Sequence, residues 1–203
     1  MVNVKICGIT RKSDAVLACE CGATAVGIVF WDKSPRSVSP KQAAEIVSEI
    51  PSTVCKVGVF VNASHDWVCE VVEKVGLSLV QFHGDESIED CARAPRPVLK
   101  AVGLKGEADV DQALSFPSDI RLLLDSSDRE RRGGTGQKLD WNLARRVSCE
   151  RPIVLAGGIN EKNATEAVKT VQPFGLDVSS GVEERPGIKD PLLLKRFFLS
   201  LQG

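Results

Sequence analysis

The feature that most constrains this fold is a strict alternation of short apolar runs with longer segments of helical spacing, repeated eight times. Several runs are apolar at nearly every position, which is typical of strands buried on both faces of a parallel sheet. The predicted strands cover residues 2–8, 25–30, 56–61, 79–83, 98–104, 120–124, 153–156 and 176–179. The predicted helices cover residues 11–22, 40–47, 66–75, 87–93, 108–116, 141–147, 162–171 and 191–201, with Ser39 as the N-cap of the second.

Alternating strands and helices with short connections imply parallel strands joined by right-handed crossovers. Eight such units in 203 residues match the lower size limit of a (β/α)8 TIM barrel. An open doubly wound sheet is the alternative, but such a sheet rarely continues through eight uninterrupted units. Because no linker, low-complexity stretch or change in composition interrupts the pattern, we expect residues 1–203 to form a single α/β barrel domain.

Charge, hydropathy and cysteine content narrow the functional class. A net charge of −1 gives no sign of a nucleic-acid or membrane partner. No apolar run approaches the roughly 20 residues that span a bilayer, and the first strand begins too early to leave room for a signal peptide. Seven cysteines at irregular spacing, with only two histidines, predict reduced thiols in the cytoplasm and no metal site.

Active sites of such barrels lie at the carboxyl-terminal ends of the strands. Cys7 ends the first strand and Asp125 ends the sixth, so they lie on different sides of the barrel mouth and could act as base and acid on two ends of one substrate. Arg36 lies in the loop after the second strand. Each residue has a structural alternative. Cys7 could be a buried apolar thiol, Asp125 a turn or helix cap, and Arg36 a solvated charge.

Glycine-containing loops follow the last two strands, where barrels of this kind usually bind phosphate. Gly157 and Gly158 follow the seventh strand, and Ser180 and Gly181 follow the eighth. Glycine lets backbone N–H groups approach an anion, and a short helix beginning after the eighth strand would direct its positive end to the same point. We therefore expect phosphate binding there. The alternative is that these glycines only serve turns with positive φ.

Three further expectations concern charge and mobility. Lys5 faces the barrel interior one layer below Cys7, and we expect it to pair with Asp177 because a lone buried ammonium is too costly. The glycine-rich residues 133–136 are predicted to form a mobile flap. His83, at the end of the fourth strand, is assigned a structural role.

A set of segments distributed along the chain forms a more specific pattern. These segments are Lys5-Ile6-Cys7-Gly8-Ile9-Thr10, Lys33-Ser34-Pro35-Arg36, Gln81-Phe82-His83-Gly84, Leu124-Asp125, Gly133-Gly134-Thr135-Gly136, Leu155-Ala156-Gly157-Gly158-Ile159, Asp177-Val178-Ser179-Ser180-Gly181-Val182-Glu183 and Pro186-Gly187-Ile188-Lys189-Asp190. Together they make the chain resemble the phosphoribosylanthranilate isomerases of tryptophan biosynthesis over its whole length. Small departures are Phe82, where leucine is common in that family, Trp31-Asp32, where an aromatic-proline step is frequent, and the unusual number of cysteines.

The resemblance implies an Amadori rearrangement of N-(5-phosphoribosyl)anthranilate to the corresponding 1-amino-1-deoxyribulose phosphate. It assigns Asp125 as the general acid that protonates the ribose ring oxygen, and Cys7 as the base that takes the C2′ proton from the resulting Schiff base. A thiol is an effective base only if nearby positive charge, such as that of Lys5 or of a cationic Schiff base in the substrate, favours the thiolate.

The resemblance also implies how the substrate is held. Arg36 would bind the anthranilate carboxylate. The phosphate would be held by Gly157, Gly158, Ser180 and Gly181. No cofactor and no metal are implied, the expected partner is a small phosphosugar, and the protein is expected to be a monomer or a homodimer.

Two alternatives stay open from the sequence. The first is another barrel enzyme that isomerises or epimerises a phosphosugar. The related isomerase of histidine biosynthesis has an aspartate where this chain has Cys7, and an epimerase would need metal ligands that two histidines hardly supply. The second is a phosphate-binding barrel without catalysis, because intact candidate residues do not prove turnover.

Overall fold

The computed structural model describes residues 2–126 and 140–202. Its central strands are β1 (Asn3–Cys7), β2 (Ala25–Val29), β3 (Cys55–Phe60), β4 (Leu79–Phe82), β5 (Val98–Gly103), β6 (Arg121–Asp125), β7 (Ile153–Leu155) and β8 (Gly175–Val178). They close into a barrel in chain order, and every neighbouring pair, including β8 with β1, is parallel. The predicted (β/α)8 barrel is confirmed, and each strand ends within one residue of its expected bounds.

A helix follows each of these strands on the outside of the barrel. The helices are α1 (Lys12–Cys21), α2 (Pro40–Val47), α3 (His65–Val75), α4 (Ile88–Ala92), α5 (Glu107–Ser115), α6 (Trp141–Glu150), α7 (Ala164–Val171) and α8 (Pro191–Ser200). Their boundaries follow from capping, because Ser39, as predicted, and Ser64 accept backbone N–H groups at the starts of α2 and α3. None of the helices within the described ranges combines the length and apolar character that a membrane span requires.

The chain adds one element that the sequence pattern did not predict. After β8, a 3₁₀ turn (Ser180–Val182) leads into an antiparallel hairpin of β9 (Glu183–Arg185) and β10 (Ile188–Lys189). The hairpin strands are very short and mostly charged, so apolar periodicity could not mark them. Gly187 closes the turn at a φ of 82°, a conformation that strains any residue with a Cβ. The hairpin brings Glu183 and Lys189 to the barrel mouth.

Successive residues of each strand face alternately outward and inward. On β1, Ile6 belongs to the main core between the strands and the helices, whereas Cys7 belongs to a small separate cluster with Val29 and Val59. Cys7 is therefore an inward-facing residue of the barrel, on the same side of β1 as Lys5.

Candidate active site

Cys7 is the last residue of β1, and only 8% of its surface is exposed. In the parallel register of β1 with β2, Cys7 lies opposite Gly27. A Cβ added at Gly27 would lie 2.8 Å from the Cys7 sulfur and also 2.8 Å from the Lys5 Nζ. The missing side chain of Gly27 therefore leaves space in which the thiol and the ammonium lie side by side.

Lys5 pairs with Asp177, as predicted. The two residues are register partners on β1 and β8, and the Lys5 Nζ lies 2.8 Å from Asp177 Oδ1. Burial lowers the pKa of Lys5, but the charge of Asp177, followed by that of the Cys7 sulfur, outweighs it, so that the pKa is raised overall. Lys5 is therefore a fixed cation beneath Cys7.

The environment of Cys7 favours the protonated thiol. Burial is the largest influence and raises the pKa of Cys7 above its ordinary value. The charges of Lys5 and Lys189 lower this pKa, while the charge of Asp177 raises it. The expectation that Lys5 favours the thiolate is right for the effect of Lys5 itself, but burial outweighs that effect.

Asp125 is the last residue of β6 and is 7% exposed. Its Oδ2 lies 3.5 Å from the Nε2 of His83, at the end of β4. The Nδ1 of His83 lies 2.9 Å from the amide nitrogen of Gln81, which can only donate, so Nδ1 accepts and Nε2 carries the hydrogen in this arrangement. His83 was predicted to be structural, yet the structure places its buried Nε2 against the candidate acid.

Arg36 lies across the end of β1, beside Cys7. Gly8, at a φ of 74°, makes this possible, because a Cβ there would come within 2.5 Å of the Arg36 Cδ. The Arg36 Nε donates to Glu183 Oε1 at 2.9 Å, and Nη2 donates to Oε2 at 2.6 Å. This hydrogen bonding raises the pKa of Arg36. Arg36 is thus not a solvated loop charge but a fixed guanidinium at the mouth.

Lys189 connects this ion pair to the backbone around the site. Its fully buried Nζ donates to the carbonyl oxygens of Cys7 at 2.6 Å and Ser179 at 3.1 Å, and to Glu183 Oε1 at 2.9 Å. Burial lowers the pKa of Lys189, and the charge of Glu183 only partly offsets this. Burial also raises the pKa of Glu183, but the hydrogen bond from Arg36 and the charge of Lys189 outweigh it and leave that pKa lowered.

The predicted phosphate loops meet at the same end of the barrel. Gly157 and Gly158 have φ values of 84° and 74°, so both adopt the positive-φ turn conformation that was the alternative explanation for these glycines. Gly181 cannot carry a side chain either, since a Cβ there would clash with the carbonyl oxygen of Ile159. Ser180 begins the 3₁₀ turn, which corresponds to the short helix start expected after the eighth strand. Backbone groups of both loops are thus brought close together.

Two sequence predictions concern features beyond these side chains. The flap predicted for residues 133–136 lies outside the described residues. Among residues 2–126 and 140–202, no group of three or more His, Cys, Asp or Glu side chains is placed to hold a metal ion. The mouth therefore combines a thiol, a carboxyl group and an imidazole with a guanidinium, a set of groups suited to moving protons on an anionic substrate.

A model of the N-(5′-phosphoribosyl)anthranilate (PRA) isomerase family matches residues 4–200 of this chain. The chain belongs to this family. The resemblance stated from its motifs is therefore confirmed.

Individual relatives agree with the family assignment over their whole length. The N-(5′-phosphoribosyl)anthranilate isomerase of Geotalea uraniireducens is 44% identical over 203 residues, covering all of both chains. The crystal structure of phosphoribosyl anthranilate isomerase from Thermotoga maritima superposes with a TM-score of 0.93 at 43% identity, and a PRA isomerase in complex with reduced 1-(o-carboxyphenylamino)-1-deoxyribulose 5-phosphate superposes with 0.90 at 42%. Both superpositions also cover all of both chains.

Sequence reasoning assigned no catalytic or binding role to three side chains that line this PRA isomerase mouth, His83, Glu183 and Lys189, although all three lie in segments that carry the family resemblance. His83 was assigned a structural role. Glu183 opens the charged run Glu183-Glu184-Arg185, which is typical of a solvated turn. Their roles depend on partners that are distant in the sequence, so those segments did not show what each side chain contacts.

Proposed function

We propose that this chain converts N-(5′-phosphoribosyl)anthranilate into 1-(o-carboxyphenylamino)-1-deoxyribulose 5-phosphate, with residues 1–203 as one catalytic domain, Asp125 as general acid and Cys7 as general base. The observation that carries the proposal is the position of these two groups. Both end barrel strands and both are buried, and β7 and β8 lie between their strands in the barrel order. They can therefore reach two different atoms of one substrate bound across the mouth.

The first chemical step requires a proton on Asp125. The carboxyl group donates this proton to the ribose ring oxygen, the C1′–O bond breaks, and the anthranilate nitrogen becomes part of a cationic Schiff base. Asp125 is left as a carboxylate. The buried Nε2 of His83 lies 3.5 Å away and has no hydrogen-bond partner among the described residues, so a small movement would let its N–H donate to that carboxylate.

The second step requires the thiolate of Cys7. The cationic Schiff base adds a third positive charge to those of Lys5 and Lys189, and all three favour loss of the thiol proton. The thiolate takes the C2′ proton to give an enolamine, which tautomerises to the ketone. The proton that the Cys7 thiol gives up in forming the thiolate passes to solvent, so uptake of the C2′ proton returns Cys7 to its starting thiol, and Asp125 regains its proton from solvent.

Binding groups at the mouth match the two anionic ends of this substrate. Arg36 is proposed to hold the anthranilate carboxylate, which is a suitable partner for a guanidinium. The phosphate is proposed to be held by Gly157, Gly158, Ser180 and Gly181. The positive φ values of the first two glycines and the close approach of Gly181 to the backbone of Ile159 support this assignment, because they bring the backbones of the two loops together without side chains in between.

The wider setting is proposed on the same basis. None of the seven cysteines, all of which lie in the described residues, forms a disulfide, which supports a reducing compartment such as the cytoplasm. A monomer or a homodimer is expected, and no cofactor is assigned, because the rearrangement involves neither hydrolysis nor net oxidation.

The decisive assay follows the fluorescence of phosphoribosylanthranilate made in place from anthranilate and phosphoribosyl pyrophosphate by a transferase. We expect the protein to accelerate loss of the substrate well beyond its spontaneous hydrolysis, with the ketose product formed in equal amount. A protein inactivated beforehand by heat is the control. Substrate loss at the spontaneous rate would favour the non-catalytic barrel or a different phosphosugar, and binding of other phosphosugars would then be measured.

The raised pKa of Cys7 predicts how the thiol titrates in the free enzyme. Such a thiol is less deprotonated at neutral pH than an ordinary one, so the thiolate forms only as pH rises toward the raised pKa. Because Asp125 must carry a proton for the first step, kcat/KM does not report this titration alone, and the thiolate is followed directly by its ultraviolet absorbance, as the difference between wild type and Cys7→Ser. We expect the midpoint of this difference to lie above pH of about 8.5, the ordinary thiol pKa. The exposed thiol of Cys149 provides the control, since the same difference measured in a Cys149→Ser background should be unchanged. A midpoint near pH 7 would contradict the prediction.

A further inference from the structure

We propose that Glu183, fixed by Lys189, is the positioning residue that aims Arg36 at the substrate, and that it thereby sets the preference for an aryl amine with an ortho carboxylate. This inference rests on the proposed function and extends it to a residue that does not itself touch the substrate. It is carried by the geometry of one guanidinium and one buried carboxylate.

The first step concerns the two edges of the Arg36 guanidinium. Nε and Nη2 form the side edge, and both donate to the carboxylate of Glu183, with contacts of 2.9, 3.2 and 2.6 Å. The end edge, made by Nη1 and the second hydrogen of Nη2, donates no hydrogen bond to any described residue beyond those to Glu183. An arginine whose side edge is occupied in this way can still bind a second carboxylate in a bidentate manner through its end edge.

The second step concerns the rigidity of Glu183. Only 3% of its side chain is exposed, and its Oε1 also accepts from the Lys189 Nζ at 2.9 Å and from the Gly187 backbone N–H at 3.3 Å. Lys189 is itself fixed, because its Nζ donates to two carbonyl oxygens and its backbone N–H donates to Asp14 at 3.0 Å. The carboxylate that orients Arg36 therefore has little freedom to move.

The third step concerns charge. Arg36 and Lys189 are two cations that share the single carboxylate of Glu183, so these three side chains together carry a net positive charge. The nearby Lys5 and Asp177 neutralise each other. A carboxylate arriving at the end edge of Arg36 would balance the excess charge, whereas an uncharged aryl ring would not.

The same contacts also tie Lys189 to the backbone of Cys7 and Ser179, so a purely structural role has to be distinguished from positioning. A structural role predicts that loss of Glu183 weakens every ligand of the site equally. A positioning role predicts that the loss is confined to ligands with a carboxylate. Two ligands that differ only in this group therefore separate the two roles.

The test measures, by titration calorimetry, the affinity for reduced 1-(o-carboxyphenylamino)-1-deoxyribulose 5-phosphate and for its phenylamino counterpart without the carboxylate. We expect Glu183→Gln to weaken binding of the carboxylated ligand by about 10-fold to 100-fold, the range expected for a misplaced binding group, and to leave the other ligand unaffected. With phosphoribosylanthranilate, KM should rise more than kcat falls. The exposed neighbour gives the matched control, Glu184→Gln, which should behave as wild type.

The inference would be overturned if Glu183→Gln weakened binding of both ligands equally or weakened binding of neither. It would also be overturned if the wild-type protein bound both ligands with the same affinity. Glu183→Asp keeps the charge but withdraws it by one methylene, and it serves as the test variant if Glu183→Gln does not fold; it should also lose discrimination. The titrations do not require turnover. A wild type that binds both ligands but does not isomerise phosphoribosylanthranilate would therefore contradict the proposed function alone.

Discussion

Replacing Asp125 with asparagine is expected to lower kcat by about 10³-fold to 10⁴-fold, the upper part of the range for loss of a general acid. Asparagine has almost the same shape and keeps one oxygen that can accept a hydrogen bond, but it cannot donate an acidic proton to the ribose ring oxygen. Affinity for the reduced product analogue should change little, because the analogue has no ring oxygen to protonate. Single-turnover kinetics and a titration with the analogue measure the two quantities separately.

The matched control for this variant is Asp119→Asn, the same change at an exposed aspartate just before the other end of β6. It should leave both kcat and analogue affinity at the wild-type level. If Asp125→Asn instead lost analogue affinity by the same factor as kcat, Asp125 would be a binding residue and the acid would have to be sought elsewhere, with His83 as the nearest candidate.

The barrel could be predicted from the sequence because its causes are local and repeated. A parallel strand covered on both faces leaves a short apolar run, as at Ala25–Val29, and a serine at the start of a helix leaves a capping pattern, as at Ser39. The pair between Lys5 and Asp177 was predictable for a different reason. In a closed barrel the last strand must lie beside the first, and a buried ammonium needs a partner.

The rest of the site could not be predicted because its causes are not local. Lys189 donates to the carbonyl oxygen of Cys7 from the opposite end of the chain. The hairpin that carries Lys189 has no periodic pattern of apolar residues that would reveal it in the sequence. The sign of the Cys7 pKa shift depends on how deeply the sulfur is buried relative to Lys5 and Lys189, a balance that only the packed structure reveals. For His83, the strand end was visible in the sequence but its neighbour Asp125 was not.

Replacing Cys7 with serine is expected to lower kcat by about 10²-fold to 10³-fold, within the range for loss of a general base. A hydroxyl holds its proton far more tightly than a thiol, so the charges of Lys5, Lys189 and the Schiff base no longer suffice to produce the basic form. The acid step at Asp125 is untouched, so the substrate ring should still open while removal of the C2′ proton becomes the slow step. Steady-state kinetics on substrate carrying deuterium at C2′ measures this shift.

The isotope effect distinguishes the two catalytic assignments more sharply than either rate alone. In Cys7→Ser it should be larger than in wild type, because the C2′–H bond then breaks in the slowest step. In Asp125→Asn it should be smaller than in wild type, because ring opening limits the rate before that bond is broken. The control Cys149→Ser changes an exposed thiol on α6 and should match wild type in both rate and isotope effect. Near-normal kcat in Cys7→Ser, or isotope effects that move in the same direction in both variants, would remove Cys7 from the proton-transfer step and leave it as a packed thiol beside Gly27.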